Sequence, residues 1–103
     1  MSVRKTAIVL RAAARRDVRD ILLYTGDQWG IEQLKAYSEE VNRAFSVLSM
    51  NPHIGRTHDD IRPGLRSYRV QQHVIYYRVA ADTVVVLRIL HRKMEAAQHV
   101  DER

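Results

Sequence analysis

Apolar residues recur along this chain with two different periods, and the switches between them divide it into elements. Residues 6–11 (TAIVLR) alternate and are rich in branched side chains, so they read as a first β-strand. From Ala12 the spacing becomes three and four: Ala14, Val18, Ile21, Leu22, Thr25 and Trp29 form one helical face. Arg15, Arg16, Arg19 and Asp20 fall outside it. Gly30 interrupts the pattern. Leu34, Tyr37, Val41, Ala44, Phe45 and Leu48 resume it as a second amphipathic helix, stopped by Asn51-Pro52. So short a join predicts an antiparallel helical hairpin, with Trp29 at core spacing.

Residues 51–64 (NPHIGRTHDDIRPG) read as a loop ending in a tight Pro63-Gly64 turn. Three strands follow, at 65–70, 73–79 and 83–91. Only Gln71-Gln72 and Ala80-Ala81-Asp82 are available to join them, so they are expected to pair as antiparallel hairpins. Residues 1–5 are expected to fray, and the tail from Arg92 is polar with the makings of a short helix. The order is β-α-α-β-β-β in a single domain spanning residues 1–103. The fold class is α+β, with a helical hairpin packed on one face of a small antiparallel sheet.

Period two also predicts which side chains share a face. It puts Ile75, Tyr77, Val79, Val85, Leu87 and Ile89 under the helices. Val74, Tyr76, Arg78, Val84, Val86 and Arg88 then line the opposite, open face. An open face mixing apolar and basic residues suits a binding partner; the plainer reading is that Arg78 and Arg88 merely keep it wetted.

Composition narrows the class. At 103 residues and 46% hydrophobic, the chain has enough material for one core and is not a disordered tail. It contains no cysteine, which removes disulfides and thiolate metal sites. No apolar run approaches the roughly 20 residues of a membrane helix, and the amino end lacks a signal-peptide core. A cytoplasmic protein without a membrane partner is expected. The net charge is +5, carried by 14 arginines against 3 lysines. Between residues 62 and 93 there are seven basic side chains and one acid, Asp82. A sheet this basic calls for a polyanion or an acidic protein.

Several segments together are similar to one family. "NPHIGRTHDDIRPGLRSYRVQQHVIYYRV", then "VVVLRILHRKME", and before them "RAAARRDVRDILLYT", resemble in order and spacing the ParE branch of the RelE/ParE superfamily of toxins. The resemblance implies the toxin of a type II toxin–antitoxin system that inhibits DNA gyrase and so stops replication. It also implies a ParD-like antitoxin whose acidic, partly disordered carboxyl-terminal segment wraps the toxin in a hetero-oligomer. On the open face, apolar anchors would meet Val74, Val84 and Val86, and carboxylates would meet Arg78 and Arg88; Tyr76 on that face and Arg92 and Lys93 at the strand end are further candidates.

The rival within the superfamily is a RelE-like, ribosome-dependent mRNA endonuclease. Such chemistry needs a proton-transfer group and cations around the phosphate. His91 would supply the first, and Arg66, Arg69, Arg88 and Arg92 the second. Two departures weigh against it: Val74 stands where those enzymes place an arginine, and no tyrosine follows Tyr77. His91 as a strand-end histidine bonded to a backbone carbonyl is the plainer reading. A third class is a non-enzymatic nucleic-acid-binding module, although the basic residues are not interleaved with aromatics. Of the adjacent tyrosines, Tyr77 is expected in the core and Tyr76 on the open face. His91, Glu95 and His99 share a helical spacing, but no metal and no cofactor is expected.

Overall fold

The computed structural model describes residues 6–100 of the 103. The segment expected to fray, residues 1–5, lies outside them. Strand β1 (Ala7–Leu10) leads into helices α1 (Ala12–Trp29) and α2 (Ile31–Met50). Strands β2 (Arg56–Thr57), β3 (Arg66–Val70), β4 (His73–Ala80) and β5 (Thr83–His91) follow, and a single turn, α3 (Ala96–His99), is the last element among the described residues. Gly30 makes the hairpin possible. Its φ of 88° lets its N–H close the last turn of α1 on Gly26 O at 2.9 Å. Its carbonyl accepts Leu34 N–H at 3.1 Å and starts α2.

The sheet has the order β1-β5-β4-β3-β2. Strands β2 to β5 are antiparallel neighbours, as the short links require. Strand β1 instead runs parallel to β5, with Ile8 opposite Val84 and Leu10 opposite Val86. The sheet is therefore mixed. Helices α1 and α2 form the crossover that a parallel pairing needs. The tight turns put non-glycine residues in the left-handed region at Gln71 (φ 54°) and Ala81 (φ 53°).

A register shift in the β4–β5 ladder decides which side chains face the helices. Tyr76 pairs with Arg88 but Tyr77 pairs with Val86, so Leu87 is an extra residue and β5 carries a β-bulge. Alternation on β5 is broken there. Val84, Val86 and Ile89 join Ala14, Val41, Ala44, Leu48, Ile75 and Tyr77 in the core beneath the helices. Val85, Leu87 and Leu90 face the other way. The expected facing of β5 is thus corrected: Val84 and Val86 are fully buried under the helices, while Val85 and Leu87 lie on the second face.

That second face is not open. Leu65 and Ile61 from the loop before β3, with Ala96 and Val100 from the tail, cover Tyr76, Val85, Leu87 and Leu90 as a smaller second core. Val74 packs at its margin. A lone sheet face this apolar would remain in water, and the chain's own tail removes it.

Candidate functional site

Arg88 sits at the bulge, and α1 determines what it does. Its Nε and Nη2 donate to Asp17 Oδ2 at 2.7 Å and Asp17 Oδ1 at 3.0 Å, a bidentate pair. Its Nη1 donates to the carbonyl of His99 at 3.2 Å. Asp17 Oδ2 also accepts the Ile89 N–H at 2.9 Å. The Asp17 hydrogen bonds raise the Arg88 pKa above its ordinary value, against a smaller opposing effect of burial. Arg88 is thus a tie between α1, β5 and the tail, not a free cation on an open face. Sequence reasoning missed Asp17. The signal was its place beside Val18, at the flank of the apolar stripe of α1.

The other candidate cations are also engaged in structural bonds. Arg66 donates to His53 O at 3.0 Å and Gly55 O at 2.9 Å, fastening the loop before β2. Arg69 Nε bonds Gln71 O at 2.8 Å, and Arg92 Nε bonds Gln72 Oε1 at 2.7 Å. Arg66 lies opposite Tyr77 and His91 opposite His73, four residues apart along β4 and roughly 13 Å at strand spacing. Arg78 lies opposite Val85 and is half-buried. Arg92 and Lys93 are exposed at the end of β5. Of the four candidate arginines, Arg66 is the one remote from His91, while Arg69 and Arg92 fasten the β3–β4 turn beside the His73–His91 pair.

His91 has a neighbour the sequence did not suggest. Its ring meets His73 edge to face at 5.5 Å, and its Nδ1 accepts the Lys93 N–H at 3.2 Å. The expected bond to a backbone carbonyl is not the one found; the ring instead accepts from a backbone amide. The Tyr37 hydroxyl hydrogen-bonds His73 Nδ1, and burial pushes the Tyr37 pKa up to about 12. The His73 pKa is lowered, chiefly by burial and then by the charge of His91, with Asp17 acting against both. Among the described residues no group of three His, Asp or Glu side chains is placed to hold a metal, His91, Glu95 and His99 included.

Tyr76 and Tyr77 point to opposite sides as expected. Tyr77 is fully buried, and its hydroxyl donates to Pro52 O at 2.8 Å and accepts the Gly55 N–H at 2.9 Å. Tyr76 is buried in the second core, not displayed. Trp29 departs from its core spacing: it is 69% exposed, and Tyr24 five residues earlier is 64% exposed. Both line a cleft of about 380 Å³ with Gln33, Tyr37, Gln72, His73 and His91.

Comparison with known proteins places this arrangement. The family described as the ParE toxin of type II toxin–antitoxin systems, parDE, matches residues 8–96. The chain belongs to the ParE toxin family. It is 36% identical over 93 residues to Toxin ParE1 of Mycobacterium tuberculosis, covering 89% of this chain and 95% of that protein. Toxin ParE1 of Caulobacter vibrioides is 32% identical over 91 residues, covering 88% and 94%. Toxin ParE of Escherichia coli is 27% identical over 99 residues, covering 95% and 96%.

Two solved structures share the fold. The chromosomal ParDE toxin–antitoxin system of P. aeruginosa superposes with a TM-score of 0.72 at 17% identity, over 85% of this chain and 97% of that one. The toxin–antitoxin complex RelBE2 of Mycobacterium tuberculosis gives 0.64 at 27% identity, over 85% and 99%. The fold is that of the RelE/ParE toxins, as the sequence resemblance implies. No helix among the described residues is long and apolar enough to cross a membrane.

Proposed function

We propose that this ParE-family toxin acts by binding DNA gyrase, blocking replication without catalysis of its own, and that a ParD-like antitoxin neutralises it. The observation that carries the reading is that the candidate phosphate-binding cations are engaged in structural bonds. Arg66, Arg69, Arg88 and Arg92 each hold a different structural acceptor, and Arg66 and His91 lie at opposite ends of the β3–β4 ladder. A phosphoryl-transfer site would need such cations free to converge beside a proton-transfer group. A binding protein needs no such convergence. The match to ParE toxins over residues 8–96 supports the same choice.

The acidic segment of the antitoxin would meet the exposed cations at the end of β5, Arg92 and Lys93, and Arg78 beside the second core. Val84 and Val86 are withdrawn from that surface by burial beneath the helices, so apolar anchoring would fall to partly accessible positions such as Val74. The RelE-like alternative draws on the RelBE2 likeness. The test is binding of the purified, antitoxin-free chain to immobilised gyrase. Saturable binding that a ParD-like antitoxin displaces is expected. Absence of binding to gyrase, with binding to ribosomes, would overturn the reading.

A further inference from the structure

The cleft between the hairpin and the sheet has a lining that the proposed antitoxin contacts at Val74 and Arg78 do not include. One wall is the carboxyl-terminal half of α1, with Tyr24 and Trp29; the other is formed by the β3–β4 turn and the ends of β4 and β5. Among the described residues neither Tyr24 nor Trp29 has a ring partner, while Tyr76 and Tyr77 are buried in the two cores. Two large aromatic side chains left mostly in water beside one concave site are available for stacking.

The polar groups have equally definite roles. Because Nδ1 of His91 accepts the Lys93 N–H, a neutral His91 carries its proton on Nε2 and is a donor there. Gln33 offers both a donor and an acceptor. Gln72 has its Oε1 committed to Arg92 Nε, which leaves its amide N–H groups as donors; Arg92 does not line the cleft but is tied to a residue that does. Asp20 lines the adjoining hollow with Tyr24, His73 and His91, and pairs with Arg19 at 3.5 Å. Aromatic faces, neutral donors and acceptors between them, and one positioned guanidinium suit a flat heteroaromatic ring carrying a phosphate.

We propose that this cleft binds an unpaired nucleobase with its phosphate, the ring against Tyr24 and Trp29 and the phosphate on Arg92. Its volume of about 380 Å³ is of the size that small-ligand sites have. The base comes either from a free mononucleotide or from a single strand. The site is on the helix side of the sheet and makes no use of Val74, Tyr76 or Arg78. Arg92 is the residue it shares with the proposed antitoxin surface, and titration with a base-containing ligand tests it separately from gyrase binding.

Trp29 is the only tryptophan of the chain, so its fluorescence reports on the cleft directly. The experiment titrates the full, antitoxin-free chain with AMP, with an eight-nucleotide single-stranded adenine oligomer, and with ribose 5-phosphate. Saturable quenching by AMP, by the oligomer or by both is expected, with none from ribose 5-phosphate. AMP and the oligomer binding alike identifies a free-nucleotide site; the oligomer alone identifies a strand. Tyr24→Ala and Arg92→Ala, each with an unchanged far-UV spectrum, are expected to weaken binding about tenfold or more. Three results would overturn the proposal: no saturable change with either base-containing ligand, equal quenching by ribose 5-phosphate, or undiminished affinity in Tyr24→Ala.

Discussion

Replacing Asp17 by alanine removes three hydrogen bonds at once: two from the Arg88 guanidinium and one from the Ile89 amide. The side chains of Arg88 and Asp17 are only 23% and 14% exposed, so water does not simply take over. A hydrogen bond to a charged group contributes about 1.5–3 kcal/mol, and losing one partner of a buried pair costs about 3–5 kcal/mol. Partial exposure and the remaining bond from Arg88 to His99 O reduce that, so about 2–4 kcal/mol is expected for Asp17→Ala. At about 4–8 °C per kcal/mol for a domain of this size, the melting temperature should fall by roughly 8–32 °C. Asp17→Asn keeps one acceptor and should cost about half as much. The assay is urea unfolding followed by circular dichroism, with a double-mutant cycle through Arg88→Ala. A coupling energy above about 1 kcal/mol is expected between the two positions. A loss in Asp17→Ala within about 0.5 kcal/mol of zero would refute the reasoning, because that is the range of an ordinary surface substitution. The same node warns against one simple experiment. Arg88→Glu sets two carboxylates against each other, so any loss of antitoxin binding in that variant reports on folding before it reports on contact.

Three further outcomes follow from the same geometry. A Cβ at Gly55 would overlap the Tyr77 hydroxyl and come within 2.8 Å of the Ser67 carbonyl, so Gly55→Ala should destabilise by about 1–3 kcal/mol in denaturant titration. His73 is held neutral by burial and by His91, so its folded pKa lies below the unfolded value of about 6.5. The unfolded chain therefore takes up the proton first. Stability should be fully present above about pH 6.5 and decline as pH falls through the folded pKa, and His73→Gln should flatten that decline in a pH series of urea midpoints. Val100→Asp puts a carboxylate where a buried valine covers the second core, and should lower the urea midpoint by about 2–4 kcal/mol equivalent with an unchanged m-value. A midpoint unaltered by that change would mean the tail does not cover Leu87 and Leu90.

Much of the fold was legible because its signals are local. The switch of period at Ala12, the break at Gly30 and Asn51, and two-residue links between strands name the elements and force the antiparallel pairs. What was not legible depends on partners distant in sequence. Nothing within residues 6–11 says that this strand lies parallel to β5. Nor does the run of Val84 to Leu90 announce that Leu87 is extra, since a bulge is a property of two strands. That single residue exchanges the two faces of β5, burying Val84 and Val86 that alternation had left open. Trp29 was misplaced for a related reason: its helical spacing is right, but a cleft opens between the last turn of α1 and the β3–β4 turn. Arg78, Arg92 and Lys93 keep the accessibility a partner surface needs in some measure. Arg88 does not, because Asp17 claims it.

The most direct test of the central claim assays one antitoxin-free preparation of the chain against two targets. Gyrase supercoiling of plasmid DNA is measured beside mRNA cleavage on translating ribosomes. Loss of supercoiling with accumulation of cleaved plasmid, and intact mRNA, is the result expected of a gyrase-binding ParE toxin. Cut mRNA with normal supercoiling would contradict it, and would return His91, Arg66, Arg69, Arg88 and Arg92 to consideration as catalytic groups.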